Sequence, residues 1–191
     1  MKDHRLGNGH DARAIDDHAL MRRVRDGDRR AFAILVERHR DSLYRFILRQ
    51  VRSAPSAEDL LQETFLRVYR AAADYEPDAK LSTWLFRIAF NLCLNEAAKA
   101  SSRRELVDAA PDRADPQPDP AVALERKEIA SAVEAAIACL PPRQRAAVQL
   151  ARFEGMSYAS IAKVLDTSVA AVENLLQRAR QTLRQQLQHL A

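Results

Sequence analysis

Four prolines within ten residues, Pro111, Pro116, Pro118 and Pro120, split this chain in two. They sit in "ELVDAAPDRADPQPDPAVALE", where Glu105 to Glu125 carries six acidic residues against one basic. Proline removes a backbone donor and fixes φ, and a stretch so charged has little apolar surface to bury, so neither helix nor strand propagates through it. A chain of 191 residues divided in this way is read as two small domains on a tether. The division is 16–104, then a flexible acidic linker at 105–121, then 122–191, with residues 1–15 as a disordered tail. Twenty-odd residues reach at most about 65 Å when extended and about 25 Å as a coil. Two modules so joined can engage separate sites on one large target.

Both sides of the linker read as helix. There are only 4 glycines, and Ala, Leu, Arg, Glu and Gln are abundant, so the expected fold class is all-α. Helical spacing of apolar residues, for example Leu61, Phe65, Val68 and Ala72, together with capping residues, predicts helices over Asp17 to Asp26, Asp28 to Val51, Ser56 to Ala73 and Ser82 to Arg103. After the linker they are predicted over Ala121 to Cys139, Pro142 to Phe153, Ser157 to Leu165 and Ser168 to Leu187.

No apolar run approaches the length of about 20 residues that spans a bilayer, and the polar start "MKDHRLGNGHDARAIDD" has no signal-peptide core, so no membrane insertion and a cytoplasmic location are expected. Cys93 and Cys139 lie far apart in apolar patterns and are expected as buried small hydrophobes in a reducing compartment. The histidines, His4, His10, His18, His39 and His189, make no HExxH pattern, and neither GxSxG nor a P-loop is present. Nothing here calls for catalysis, a metal or a cofactor. The formal charge of +4 is compatible with nucleic acid without requiring it.

The last third carries a helix-turn-helix pattern. Pro142 stands where a first-turn proline is tolerated and Gly155 where a helix stops. Met156 can staple onto Ile161 while Ser157 caps the next helix, and the break at Asp166 and Thr167 is short enough to hold two helices at a steep angle. In the final helix Val172, Leu176, Ala179 and Leu183 form an inward stripe, leaving Glu173, Asn174, Gln177, Arg178, Arg180, Gln181 and Arg184 outside. Asn and Gln pair bidentately with adenine, Arg with guanine or phosphate. A solvated face with arginines complementing the helix dipole is the alternative reading.

Two further motifs lie before the linker. On "EDLLQETFLRVY", Leu61, Phe65 and Val68 point inward while Asp59, Gln62 and Glu63 share the outer face, an acidic and amide patch on a basic protein that suits docking. In "AKLSTWLFRIAFNLCLNEAAKASSRR", Trp84, Leu85, Ile88, Ala89 and Leu92 form the apolar side, and Lys80, Arg87, Asn91, Asn95, Lys99, Arg103 and Arg104 the polar one. Cations beside an aromatic suit a melted strand, which offers phosphates and unstacked bases.

Taken together, "DLLQETF", "STWLFRIAFN" and the helix-turn-helix segment, in this order from about Ala31 to Leu187, closely resemble the extracytoplasmic-function (ECF) group of bacterial RNA polymerase sigma factors. The resemblance implies that Asp59, Gln62 and Glu63 bind the coiled-coil clamp of the polymerase's largest subunit. It implies that the loop "ADYEPDAKLST", including Lys80, Ser82 and Thr83, and the helix that follows read the minus-ten element on the melted non-template strand. A flipped base would sit near Asn91, with Lys80, Arg87, Lys99 and Arg103 on the backbone, Asn95 on the same face, and Trp84 as core residue or stacking platform. For double-stranded DNA it places Glu173, Asn174, Gln177 and Arg178 at the bases of the minus-thirty-five element and Arg180 and Arg184 at phosphates. The chain departs from the family at Glu173 and Leu175, where many members carry basic residues, so promoter preference does not transfer. The resemblance also implies control by an anti-sigma factor wedged against both domains.

Three rivals remain at this stage. A ligand-sensing helix-turn-helix regulator would dimerise and bind half-sites about one helical turn apart. An enzyme would need chemistry the motifs do not supply. A partner-binding mimic of a sigma factor would lack the basic faces that Arg87, Arg103, Arg178 and Arg180 provide.

Overall fold

The computed structural model describes residues 16–76, 79–104 and 132–188, and for 100–104 the backbone alone. The tail at 1–15, the linker at 105–121 and most of the helix expected at 121–139 lie outside the described residues. Among those described, all regular structure is helical: α1 (Asp17–Arg25), α2 (Arg29–Val51), α3 (Ala54–Arg70), α4 (Leu81–Arg104), α5 (132–138), α6 (Pro142–Arg152), α7 (Tyr158–Leu165) and α8 (Val169–Gln186).

Local chemistry sets these boundaries. The Asp28 carboxylate accepts from the Arg30 and Ala31 amides and so caps α2. The Arg23 guanidinium, 2.7 Å away, holds that carboxyl below the usual range, assisted by the cap itself. Helix α3 begins before the expected Ser56. Ser53 is its cap, accepting from the Ser56 amide at 3.4 Å, and Pro55 occupies the first turn, where its missing N–H costs nothing. The same helix stops at Arg70, short of Ala73.

Helix α2 is the axis of the first unit, packing on α1, α3 and α4, with α3 also against α4. Its core includes Leu20, Leu35, Leu43, Phe46, Phe65 and Leu85, with the rings of Phe46 and Phe86 edge to face at 5.2 Å. Asp17 ties α1 to α2, accepting from Arg38 and meeting His39 Nε2 at 2.9 Å. In the second unit α6, α7 and α8 pack pairwise around Leu150, Ile161, Val164 and Val172.

The two units also touch each other. Helix α4 packs against α7 and α2 against α6, and one continuous apolar core runs across the seam. This explains a difference from the expected apolar side of α4. Phe86, Phe90 and Cys93 are buried as well, because the helix is covered on more than one side, while Trp84 and Ile88 are only half-buried.

The seam holds a polar hub. Arg145 donates through Nη1 to the Ala138 carbonyl at 2.6 Å and through Nε to Gln50 Oε1 at 3.3 Å, and Gln50 Nε2 donates to Gln149 Oε1 at 3.0 Å. Burial pushes Arg145 below the ordinary arginine range, with nearby Arg52 adding to the effect. Beside it, the Arg49 guanidinium lies 4.4 Å from the centre of the Phe153 ring.

Candidate functional site

Three polar faces collect the residues singled out from sequence. On α3, Asp59 and Gln62 are exposed, and Glu63 is half-exposed and ion-paired with Arg67 at 2.8 Å. That guanidinium, one turn further along the helix, holds the Glu63 carboxyl below the usual carboxylate range. The patch is larger than the sequence reading made it. Leu66 and Tyr69 continue it in an apolar direction, 48% and 43% exposed, with Tyr69 edge-on to Phe32 at 5.0 Å. A signal for Leu66 existed, since it is a large apolar residue one position off the inward stripe of Leu61, Phe65 and Val68.

On α4, Arg87, Asn91, Asn95 and Lys99 recur every fourth residue and are all exposed, forming one polar stripe. Lys80 precedes the helix, exposed, and its carbonyl accepts from the Thr83 amide at 3.0 Å, the turn that starts α4. Ser82 is half-buried. Thr83, expected on the ligand-facing side, is buried: at 3% exposure its side chain packs into the core. Its side chain shares the helix face of the buried Phe86 and Phe90, three and seven positions on, the second covered side of α4. The backbone of Arg103 lies in the last turn of α4, and its side chain lies outside the described residues. Trp84 is half-buried, its ring tilted 41° against Tyr75 at 5.2 Å.

The third face is on α8. Ser168 caps the helix, accepting from the Ala171 amide at 3.1 Å, and Asp166 turns the chain between α7 and α8 in the left-handed region at φ 49°. Gly155, at φ +60°, plays the corresponding part between α6 and α7. With Val172, Leu176 and Ala179 buried, Glu173, Asn174, Gln177, Arg178, Arg180 and Arg184 are all exposed. Leu183, expected inside, is half-buried at the end of the stripe.

Cys93 is buried as expected, whereas Cys139, at the end of α5, is exposed. Among the described residues no group of His, Cys, Asp and Glu is placed to hold a metal ion, and no helix is long and apolar enough to cross a membrane.

Comparison with known proteins gives this geometry its context. Residues 35–103 match the family described as Sigma-70 region 2, and residues 127–183 match Sigma-70, region 4. The RNA polymerase sigma-H factor of Pseudomonas aeruginosa is 34% identical over 183 residues, covering 91% of this chain and 95% of the relative. The ECF RNA polymerase sigma-E factor of Escherichia coli (strain K12) is 30% identical over 185 residues, covering 92% and 96%. Among solved structures, CnrH in complex with the cytosolic domain of CnrY aligns with a TM-score of 0.68 at 27% identity, covering 92% of this chain and 99% of CnrH. At these identities, and over nearly the whole of each relative, the chain belongs to the ECF family of RNA polymerase sigma factors.

Proposed function

We propose that this chain acts as a dissociable promoter-specificity subunit that binds core RNA polymerase and directs initiation, with its two matched regions as separate working parts. The first, 16–104, docks on the polymerase through Asp59, Gln62 and Glu63 and captures the melted non-template strand along Lys80, Ser82, Trp84, Arg87, Asn91, Asn95, Lys99 and Arg103. The second, 122–191, sets α8 in the major groove of the minus-thirty-five element, with Glu173, Asn174, Gln177 and Arg178 toward bases and Arg180 and Arg184 toward phosphates. The linker, strongly acidic, lies in a basic channel of the polymerase. The chain performs no catalysis of its own and works in the cytoplasm, where its template is.

The observation that carries this reading is the segregation of charge: an acidic and amide face on α3, and basic and amide faces on α4 and α8. An acidic patch would repel DNA and suits a protein partner, whereas the other two suit nucleic acid. An anti-sigma factor is the proposed inhibitor. In support, a relative with the same overall fold is known held by the cytosolic domain of another protein.

A pull-down of purified core RNA polymerase tests the division of labour. Asp59→Arg combined with Glu63→Arg abolishes retention of core enzyme and leaves the helical content unchanged. Arg178→Ala leaves retention intact and weakens promoter use by about 1 to 3 kcal/mol, the scale of one base contact. Failure of both variants at the same step would refute the assignment, and no retention by the folded parent chain would leave a stand-alone DNA-binding regulator as the better reading.

A further inference from the structure

His18 stands outside every motif, yet it meets the loop before α4. Its Nδ1 shares a hydrogen bond with the Tyr75 hydroxyl at 2.6 Å, across 57 positions of sequence. The ring centres are 6.0 Å apart and the planes differ by 22°. A nitrogen so close to the hydroxyl with the rings nearly coplanar means that the imidazole meets the phenol end-on and does not cover its face. The phenol in turn lies 5.2 Å from the Trp84 ring. Three rings from α1, the loop and α4 thus form one chain of contacts, and all three residues are half-buried.

Tyr75 follows the end of α3, where its backbone donates to the Ala72 carbonyl at 3.4 Å. The hydroxyl contact adds a fixed point at the far end of its side chain and so favours the rotamer that lays the phenol against Trp84. His18 itself is well placed to hold it, because its backbone is locked in the first turn of α1, donating to the Asp16 cap at 3.2 Å.

We propose that His18 is a positioning residue for strand reading: its hydrogen bond to Tyr75 sets the phenol against Trp84 and so fixes the packing of the Trp84 ring in the first turn of α4. The inference rests on the assignment of this loop and α4 to the melted minus-ten strand.

The test uses holoenzyme assembled from the full chain and core RNA polymerase. The probe is the single-stranded DNA decamer that the wild-type holoenzyme enriches from a randomised pool. His18→Ala and Tyr75→Phe each remove the hydrogen bond, and Tyr75→Phe deletes a single oxygen, so it reports even where the alanine variant folds poorly. Both are expected to weaken decamer binding about fivefold, the scale of one hydrogen bond, with core polymerase affinity unchanged. His18→Asn, whose amide nitrogen reaches near the Nδ1 position, is expected to restore binding to within about twofold. Trp84 is the single tryptophan of the chain, so its emission reports ring packing directly. It should shift in His18→Ala and Tyr75→Phe and return in His18→Asn. Decamer binding equal to wild type in both deletions overturns the proposal, as does an equal loss of core polymerase affinity, which would mark His18 as a general fold residue. A wild-type chain that assembles with core polymerase into a holoenzyme that enriches no sequence sinks the minus-ten assignment itself, and the positioning role with it.

Discussion

The two cysteines occupy opposite surroundings, and their chemistry should separate accordingly. Burial between α4 and the second unit pushes the Cys93 thiol up to about 12, with the positive charge of Arg145 opposing the rise, whereas Cys139 faces solvent. The thiolate is the nucleophile, so a buried thiol with a raised pKa is inert at neutral pH. Iodoacetamide at pH 8 is expected to label one thiol per native chain, at Cys139, and two after denaturation; labelling of Cys93 at the same rate would refute its burial. At this scale the sequence was a partial guide. It assigned every residue of the α8 face to the outside, and the structure exposes all of them. It treated Cys139 as buried and Thr83 as a ligand-facing residue; Cys139 lies just past α5, where period arguments lose their register, and Thr83 is buried on the second covered side of α4, with Phe86 and Phe90. His18 was invisible, since a contact spanning 57 residues has no local signature.

Elements were more legible than their ends. Caps explain both the successes and the slips: Ser157 and Ser168 were identified as starts and do accept from the Ser160 and Ala171 amides, whereas Ser53 competed with Ser56 for α3 and took the role because proline follows it. Helix α8 depends on its cap, for it projects a wholly polar face and has only Val172, Leu176 and Ala179 fully buried. Ser168→Ala should therefore cost about 1 kcal/mol, the usual worth of a serine cap. Thermal unfolding of the full chain measures it, and Ser168→Asp should recover the loss, since an aspartate both caps and complements the helix dipole. An unchanged midpoint in Ser168→Ala would show that packing on α6 and α7 alone fixes the start of α8. Helix α4 shows what element-level reading lacks. Its apolar residues run nearly all round, a signal of burial on more than one side, but the sequence gives no indication of which helix would cover the second face.

At the scale of the whole molecule the seam and the proposed function pull against each other. The minus-ten and minus-thirty-five elements are separated by about 25 base pairs, or roughly 85 Å along the duplex at 3.4 Å per pair. A compact chain of this length has a radius of gyration of about 16 Å, and here α4 packs directly on α7, which packs on α8. Both elements cannot be read from one closed body, so the units must part when the chain works on a promoter. The expected linker at 105–121 reaches about 60 Å when fully extended, and the breadth of the two units themselves covers the rest of that separation. The Arg145 hub suits a seam that opens. It buries a guanidinium against an amide oxygen and a carbonyl, and the buried Gln149 Nε2 has no hydrogen-bond partner among the described residues, so the polar contacts hold register with little net gain over hydration. Gln50→Leu removes the acceptor for Arg145 Nε and the donor for Gln149 Oε1 together, which should weaken the seam by about 1 to 3 kcal/mol. Small-angle scattering should then report a larger radius of gyration with helical content unchanged, and the variant should bind core RNA polymerase more tightly because less closure has to be undone. A larger radius with no gain in polymerase affinity would show that the polymerase accepts the closed form, and an unchanged radius would show that the apolar contacts of α4 with α7 hold the seam without the hub.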